Sequence, residues 1–436
     1  MVSSQNSPLS PLSSILYPLS SILYSHNMPC FFFSAGEPSG DLHAAELIVK
    51  LREKSPDAKI VGYGGPKMQE AGCELLRDLT QLAIMWFGRA IKNFMTFKKI
   101  VDDADAYFAS HKVDAVILVD YPGMNWWIAK KAKKHGIPVF YFMPPQIWSW
   151  ATWRIKKMKR YVDYVLCCLP FEKRWFEEHG CNVEYIGHPF FEEVRNREPD
   201  VAFIDHLRSA VPQGERLLAI LPGSRNQEVH GNFDDMLSAA EIVRKEYPGT
   251  RIVVAAFKDS QKEWVEKRMS ERKIAADTVL VYVGRTPEII RAADCCIAVS
   301  GSVSLELLAN GCPAVIYYRI SRFAHIVQQF FRRSRYITLV NLLAADRADS
   351  SSVFYAEYPI PAEPSDADKE RMLFPEFLTN RDRSTDVAKT VLGWFRNADA
   401  LPKLREELAL LLNHVDQGES TVDHAAGYLS KKIENN

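Results

Sequence analysis

Apolar residues along this chain fall into short runs at two alternating periods, and that alternation predicts the architecture. Cys30–Ala35 (CFFFSA) is a continuous apolar run of strand length. A glycine-bearing turn, Gly36–Asp41, follows it, and apolar residues then recur at helical spacing from Leu42 to Lys54. The same beat repeats through KIVGYGG (59–65) with a helix to Ala71, and through AVILVD (115–120) with a helix to His135. PVFYFM (138–143), YVLCCL (164–169) and VEYIG (183–187) complete the series. Strands apolar on both faces, separated by amphipathic helices, require a parallel sheet with crossover helices on each side.

The charged stretch FEEVRNREPDVAFIDHL (191–207) closes this series and reads as a linker. A second series then begins with LLAIL (217–221), RIVVAAF (251–257), TVLVYVG (278–284), CCIAVS (295–300) and PAVIYY (313–318). Helices such as Asp234–Tyr247 and Val303–Asn310 fit between these strands. From Arg381 the pattern is helical with little strand character. The expected class is α/β, with doubly wound Rossmann-like domains over 28–192 and 193–380 and C-terminal helices over 381–436. A cleft then lies between the carboxyl ends of the two sheets, where ligands of such sheets bind.

Residues 1–27 stand apart. PLSSILY occurs at 11–17 and again at 18–24, in a Ser/Pro/Leu-rich segment without positive charge. It lacks the basic start and cleavage site of a signal peptide, and it lacks the ~20 apolar residues of a membrane span. The expectation is a disordered tail or a mis-assigned start, with a short membrane-associating tail as the alternative. The 436 residues carry 54 basic and 54 acidic side chains, so no overall charge invites nucleic acid. Its eight cysteines form no C-x-x-C pair and lie mostly in apolar runs, which fits buried free thiols in a reducing compartment.

The candidate chemistry sits where strands end. LAILPGSRNQEV (218–229) delivers Pro222-Gly223 and Ser224-Arg225 into the start of a helix, an anion site with a fixed positive fork at Arg225. AVSGSVSLELL (298–308) repeats the arrangement with Ser300, Gly301 and Ser302. Glu306, one turn further on, could accept from the vicinal hydroxyls of a ribose. Together these residues describe a nucleotide-diphosphate site; helix caps and a solvated glutamate are the plainer alternative. In the first series Asp120 ends an apolar strand, as either a general base or a helix cap. Glu37 and Asp41 could bind hydroxyls or act as acid and base, and Asp41 could equally cap the helix expected from Leu42. Asp103-Ala104-Asp105 has the form of a metal-binding D-x-D, but its charged helical surroundings favour a solvated face, and no metal is expected. Met85, Trp86, Phe87, Ile91, Phe94 and Met95 lie among cations in LAIMWFGRAIKNFMTFKKIV (82–101), a combination suited to an anionic lipid interface, with an ordinary core helix as the plainer alternative. WRIKKMKRY (153–161), with Arg154 and Lys157, is a second basic cluster, for an acceptor phosphate, for lipid headgroups or simply for water.

SAGEPSGDLHAAELI, VGYGGPKMQEAGCE, LVDYPGMNW, PPQIWSW, LPFEKRWF, YIGHP, LPGSRNQEV, SGSVSLELL and YITLVNLLA occur in this order over most of residues 30–343. Together they closely resemble the lipid-A-disaccharide synthases. The resemblance implies a GT-B glycosyltransferase without a cofactor. Its reaction would move 2,3-diacylglucosamine from a UDP-2,3-diacylglucosamine donor onto 2,3-diacylglucosamine 1-phosphate, with inversion, giving a β-1,6 disaccharide and UDP. It further implies Asp120 as the base, Arg225 at the donor diphosphate, and Ser300, Gly301, Glu306 and Asn341 on the nucleotide side. The place of work would be the inner face of the cytoplasmic membrane, and a homodimer stays open. The chain departs from the family pattern at Trp86, where glycine is usual, and at Ser302, where threonine is. A segment of about thirty residues (345–373) also precedes PEFLT, with Thr379 in place of glutamine. The alternatives are another UDP-sugar enzyme of this fold, such as a UDP-N-acetylglucosamine 2-epimerase or a glycolipid glycosyltransferase, and an inactive membrane-associated sugar-nucleotide binder. An epimerase has no use for the 82–101 apolar stretch.

Overall fold

The computed structural model describes residues 28–80, 94–212, 214–275, 278–356, 359–361, 363–416 and 418–434. Its first sheet contains β1 (Cys30–Ala35), β2 (Lys59–Gly64), β3 (Glu74–Asp78), β4 (Ala115–Val119), β5 (Val139–Phe142), β6 (Tyr164–Cys167) and β7 (Val183–Tyr185). All are parallel, in the order β3-β2-β1-β4-β5-β6-β7. The second contains β8 (Arg216–Leu221), β9 (Thr250–Ala256), β10 (Val279–Val283), β11 (Cys295–Ala298), β12 (Ala314–Arg319) and β13 (Glu376–Thr379), in the order β10-β9-β8-β11-β12-β13. The strand order reverses beside β1 and β4 in the first sheet and beside β8 and β11 in the second. Loops leaving those strands therefore open onto the crevice of each sheet.

The apolar runs of the sequence are used on both faces, as a parallel sheet requires. Phe31 and Phe33 enter one core cluster with Leu47, Ile48 and Ile117, while Phe32 enters another with Val116 and Leu118. That second cluster continues into the other half through Leu217, Ala219 and Leu221. The halves therefore share a core as well as a connection. The charged stretch read as a linker is itself folded, into helices Pro189–Asn196 and Val201–Ser209. Its apolar residues Phe191, Val194 and Leu207 are buried, while Glu193, Arg195, Glu198 and Asp205 are exposed.

Three further features depart from the sequence reading. The first helix starts at Pro38 rather than Leu42, with Pro in the first turn. β3 and β13 were not expected; both are short edge strands with partly exposed side chains. The 345–373 segment is packed: Val353 is buried in the shared core, and Phe354 meets Trp148 and Phe171 of the first half with ring centroids 5.9 and 6.1 Å apart. The last helix, Thr421–Glu434, returns to the first half and lies against helix Pro38–Lys54, burying Val422, Ala425, Ala426 and Leu429 in the core with Phe31 and Phe33. No described helix is long and apolar enough to cross a membrane.

Candidate active site

The backbone turns sharply where β4 ends. Asp120 and Tyr121 both adopt left-handed conformations, with φ of 43° and 42°. Non-glycine residues take that conformation at a cost of order 1–3 kcal/mol each, so surrounding bonds must hold them. Asn125 does so: its amide donates to the carbonyls of Val119, Asp120 and Ser34, and its oxygen accepts from the Ser34 hydroxyl at 2.7 Å. The Tyr141 hydroxyl adds a 2.8 Å bond to the Asp120 carbonyl. The Tyr121 ring leans over the Gly36 turn so closely that a Cβ there would come within 2.1 Å of it. Only glycine fits that turn.

This turn sets the Asp120 carboxyl at a cavity of about 320 Å³, lined also by Ser39, His43, Gln146, Glu172 and His188. Burial first, and then the nearby Glu37, push the Asp120 carboxyl above its usual range. Burial also lifts Glu172 to about 7, although Trp148 Nε1 at 2.7 Å and the backbone N–H groups of Cys168 and Leu169 donate to it. His188 is drawn down to about 4 by burial, so it is neutral at ordinary pH, and its Nδ1 accepts from Phe190 N at the start of its helix. Glu172, His188 and His43 were not singled out in the sequence as site residues. They lie far apart along the chain, and only the order of the strands brings them to one cavity.

Glu37 and Asp41 part company here. Glu37 is exposed just before helix Pro38–Lys54, near enough to act on the Asp120 charge. Asp41 is buried and takes another task. Its Oδ1 accepts from the N–H of Gly65 (2.8 Å) and Met68 (3.1 Å), and its Oδ2 from Lys67 (3.0 Å). Acid–base or hydroxyl-binding work is thereby replaced by capping of helix Pro66–Glu70, a different helix from the one expected.

At the second sheet's switch point, Gly223 has φ of 115°, and a Cβ there would stand 2.6 Å from the Glu228 carboxylate. The Ser224 carbonyl is held by Gln261 at 2.9 Å. Arg225 precedes helix Asn226–Glu246; its backbone N–H donates to Glu228, while its side chain is 81% exposed and only 3.3 Å from the same carboxylate. An exposed guanidinium beside a helix N-terminus suits an incoming anion. The Ser300 hydroxyl donates to Ile337 O at 2.7 Å, and Ser304, one turn beyond Gly301 and Ser302, donates to Gly301 O. Glu306 is nearly buried in helix Val303–Ala309 and accepts from Arg197 at 2.7 Å; burial still holds its carboxyl above the usual range. Asn341 is fully engaged by Phe374 and Glu376, which fixes its helix to β13. Asp120 and these residues thus stand at the switch points of different sheets.

The remaining candidates divide similarly. Asp103 pairs with Arg77, and Asp105 with Lys131, Lys134 and His135, which hold its carboxyl far below the usual range. Among the described residues no group of His, Cys, Asp and Glu is placed to hold a metal ion. Met85, Trp86, Phe87, Ile91 and the side chain of Phe94 lie outside the described residues, whereas Met95 is exposed at the start of helix Phe94–Ser110. Arg154 stacks over Trp150 at 5.0 Å, and Lys157 is exposed beside it. Thr379 caps a turn, accepting from Arg381 N and donating to its carbonyl.

Comparison with known proteins fits this geometry. A family model described as lipid-A-disaccharide synthetase matches residues 31–349. The lipid-A-disaccharide synthase of Myxococcus xanthus is 35% identical over 321 residues, covering 74% of this chain and 82% of that one. Lipid-A-disaccharide synthase 1 of Legionella pneumophila (strain Lens) is 29% identical over 387 residues, 88% of this chain and 93% of that one. Among solved structures, the UDP-GlcNAc 2-epimerase of Neisseria meningitidis bound to UDP-GlcNAc superposes with a TM-score of 0.53 at 11% identity, covering 93% of this chain and 99% of that one. A glycosyltransferase of Rickettsia africae gives 0.52 at 10%, covering 94% and 100%. At such identities these structures establish the fold alone, the two-sheet GT-B arrangement, and lend nothing to the epimerase alternative.

Proposed function

The chain belongs to the lipid-A-disaccharide synthase family and is a hexosyltransferase, and from that premise we propose how its residues divide the reaction. The donor is UDP-2,3-diacylglucosamine, seated on the second sheet. Arg225 and the Gly223–Ser224 turn face its diphosphate, the Ser300–Ser302 loop lies alongside, and Glu306 meets the ribose. Asn341 acts from behind by fixing its helix to β13. The acceptor, 2,3-diacylglucosamine 1-phosphate, enters the cavity of the first sheet, with Arg154 and Lys157 toward its phosphate.

Asp120 takes the proton of the acceptor 6-hydroxyl as that oxygen attacks the donor's anomeric carbon. The bond to the diphosphate breaks on the opposite face, its electron pair leaves with UDP, and the sugar inverts to the β-1,6 linkage. A carboxyl raised by burial is a stronger base than a solvated one, and Arg225 opposes the charge growing on UDP. The observation that carries this reading is the Asp120 turn: a costly left-handed conformation, pinned by Asn125, that sets a proton-accepting carboxyl at a cavity. The substrates are lipids, so we place the enzyme peripherally on the inner face of the cytoplasmic membrane. A homodimer is compatible with the assignment.

The test is to incubate the protein with the UDP donor and the 1-phosphate acceptor and follow disaccharide and UDP. Asp120→Asn should lower turnover by about 10²–10⁴ while UDP still binds. In the unchanged protein kcat/KM should rise with pH through a value above that of an ordinary aspartate, because the active form is the carboxylate. Disaccharide formation by Asp120→Asn at the original rate would refute the base role.

A further inference from the structure

We propose that the outward face of helix Arg322–Phe331, with Trp150 and Trp153 beside it, is a lipid-bilayer contact that seats the second half of the enzyme on an anionic membrane surface. This rests on the reading that the substrates are membrane lipids, and it concerns a surface remote in sequence from the 82–101 stretch. Phe323, Ile326 and Phe330 recur at helical spacing on one side of the helix, and Phe323 and Phe330 are 77% and 57% exposed. No residue of this helix is buried, so among the described residues nothing covers its apolar side.

The inner side is polar instead. Among the described residues both amide atoms of Gln328 are buried without a hydrogen-bond partner, and so is Nε of Arg332. A helix that turns a glutamine inward and phenylalanines outward is inverted relative to a water-facing one. That arrangement suits a helix whose outer side meets hydrocarbon. Its ten residues span about 15 Å, so it would lie along an interface rather than cross it.

Charge identifies the partner. There is no Asp or Glu from Tyr121 to Val162, nor from Leu307 to Ala345, in a chain whose acidic and basic residues balance overall. The two acid-free runs meet. Arg333 N donates to Ser149 O at 2.6 Å, which brings the end of the helix beside Trp150, and the Trp150 ring packs edge-on to Trp153 at 6.0 Å. Arg154 lies over the Trp150 ring at 5.0 Å, and the exposed Arg322, Lys156 and Lys157 neighbour the aromatic residues in sequence. Aromatic rings and cations in runs free of acids match the headgroup region of an anionic leaflet. Two copies of this chain meeting through the same face would set those cations against each other.

Flotation of the full chain with vesicles of phosphatidylethanolamine and phosphatidylglycerol tests the proposal. The double substitution Phe323→Ser, Phe330→Ser should weaken partitioning by about tenfold or more, with an unchanged thermal melt. Arg322→Glu should weaken it on these vesicles but not on phosphatidylcholine vesicles. Both variants should keep the original turnover on detergent-dispersed substrates. Unchanged flotation of both would overturn the proposal. So would a dimer in the original protein that the double variant converts to monomer while vesicle binding stays the same. If the unchanged protein makes no disaccharide in detergent, the assignment of its reaction fails instead, and the flotation result stands separately.

Discussion

Replacing Asp41 separates a structural carboxylate from a catalytic one. Three backbone N–H groups converge on it, the buried Gly65 and Met68 on Oδ1 and the part-buried Lys67 on Oδ2. Asp41→Ala leaves all three without a protein acceptor; the two buried ones cost about 1–3 kcal/mol each, and the part-buried Lys67 N–H can turn to water. Allowing for partial relaxation of a short helix, the loss should be about 4 kcal/mol, a large share of the 5–15 kcal/mol that typically holds a folded domain. Asp41→Asn is more informative. Its remaining oxygen can keep the Gly65 and Met68 bonds, while its NH₂ is set against the Lys67 N–H, so the cost should be about 1–3 kcal/mol. Urea denaturation measures both losses, and turnover is then read at a denaturant-free temperature where each variant is folded. Turnover per folded molecule should match that of the unchanged protein. An Asp41→Asn variant with the original midpoint but no turnover would refute the capping role and return Asp41 to the reaction.

Arg225→Ala should lower kcat/KM by about 10²–10³ without moving the denaturation midpoint, because the side chain lies in solvent and, among the described residues, pairs only with Glu228; an unchanged kcat/KM would remove it from the diphosphate site. Glu172, at about 7 in the fold against 4.5 for an ordinary glutamate, binds its proton more tightly when folded. Its contribution is therefore fully present below 4.5 and is lost as pH rises through about 7. Glu172→Gln should flatten that decline in denaturation experiments across the same range, and an undiminished slope would show that other groups cause it.

Much of the fold was legible because its central strands are buried on both faces and read as unbroken apolar runs. β1, β4, β8 and β11 are of this kind, and the loops that follow them carry Gly36, Asp120, Arg225 and Ser300. The edge strands β3 and β13 were illegible for the complementary reason: half-exposed residues such as those of ELLRD carry no clear period. The first helix was misjudged because Gly36–Asp41 has turn-like composition, although proline at a helix start was the available clue. Asp41 could not be read locally, since its partners lie 24 to 27 residues away. Glu172 and His188 join Asp120 only after seven strands have been ordered. The helix at 322–331 shows the limit most plainly. Periodicity reveals that one side is apolar, but not whether that side faces protein or something else.

The return of helix Thr421–Glu434 to the first half has a consequence for biosynthesis. A chain leaves the ribosome from its N-terminus, so β1 to β7 emerge long before Val422, Ala425, Ala426 and Leu429, which complete the core around Phe31 and Phe33. At about 5–20 residues per second, the wait between Tyr185 and Thr421 lasts about 10–50 s. Throughout that interval the groove along helix Pro38–Lys54 is open and apolar. The nascent first half thus keeps an apolar surface uncovered until Thr421–Glu434 emerges, and a chain cut short before Thr421 would keep that groove exposed for good.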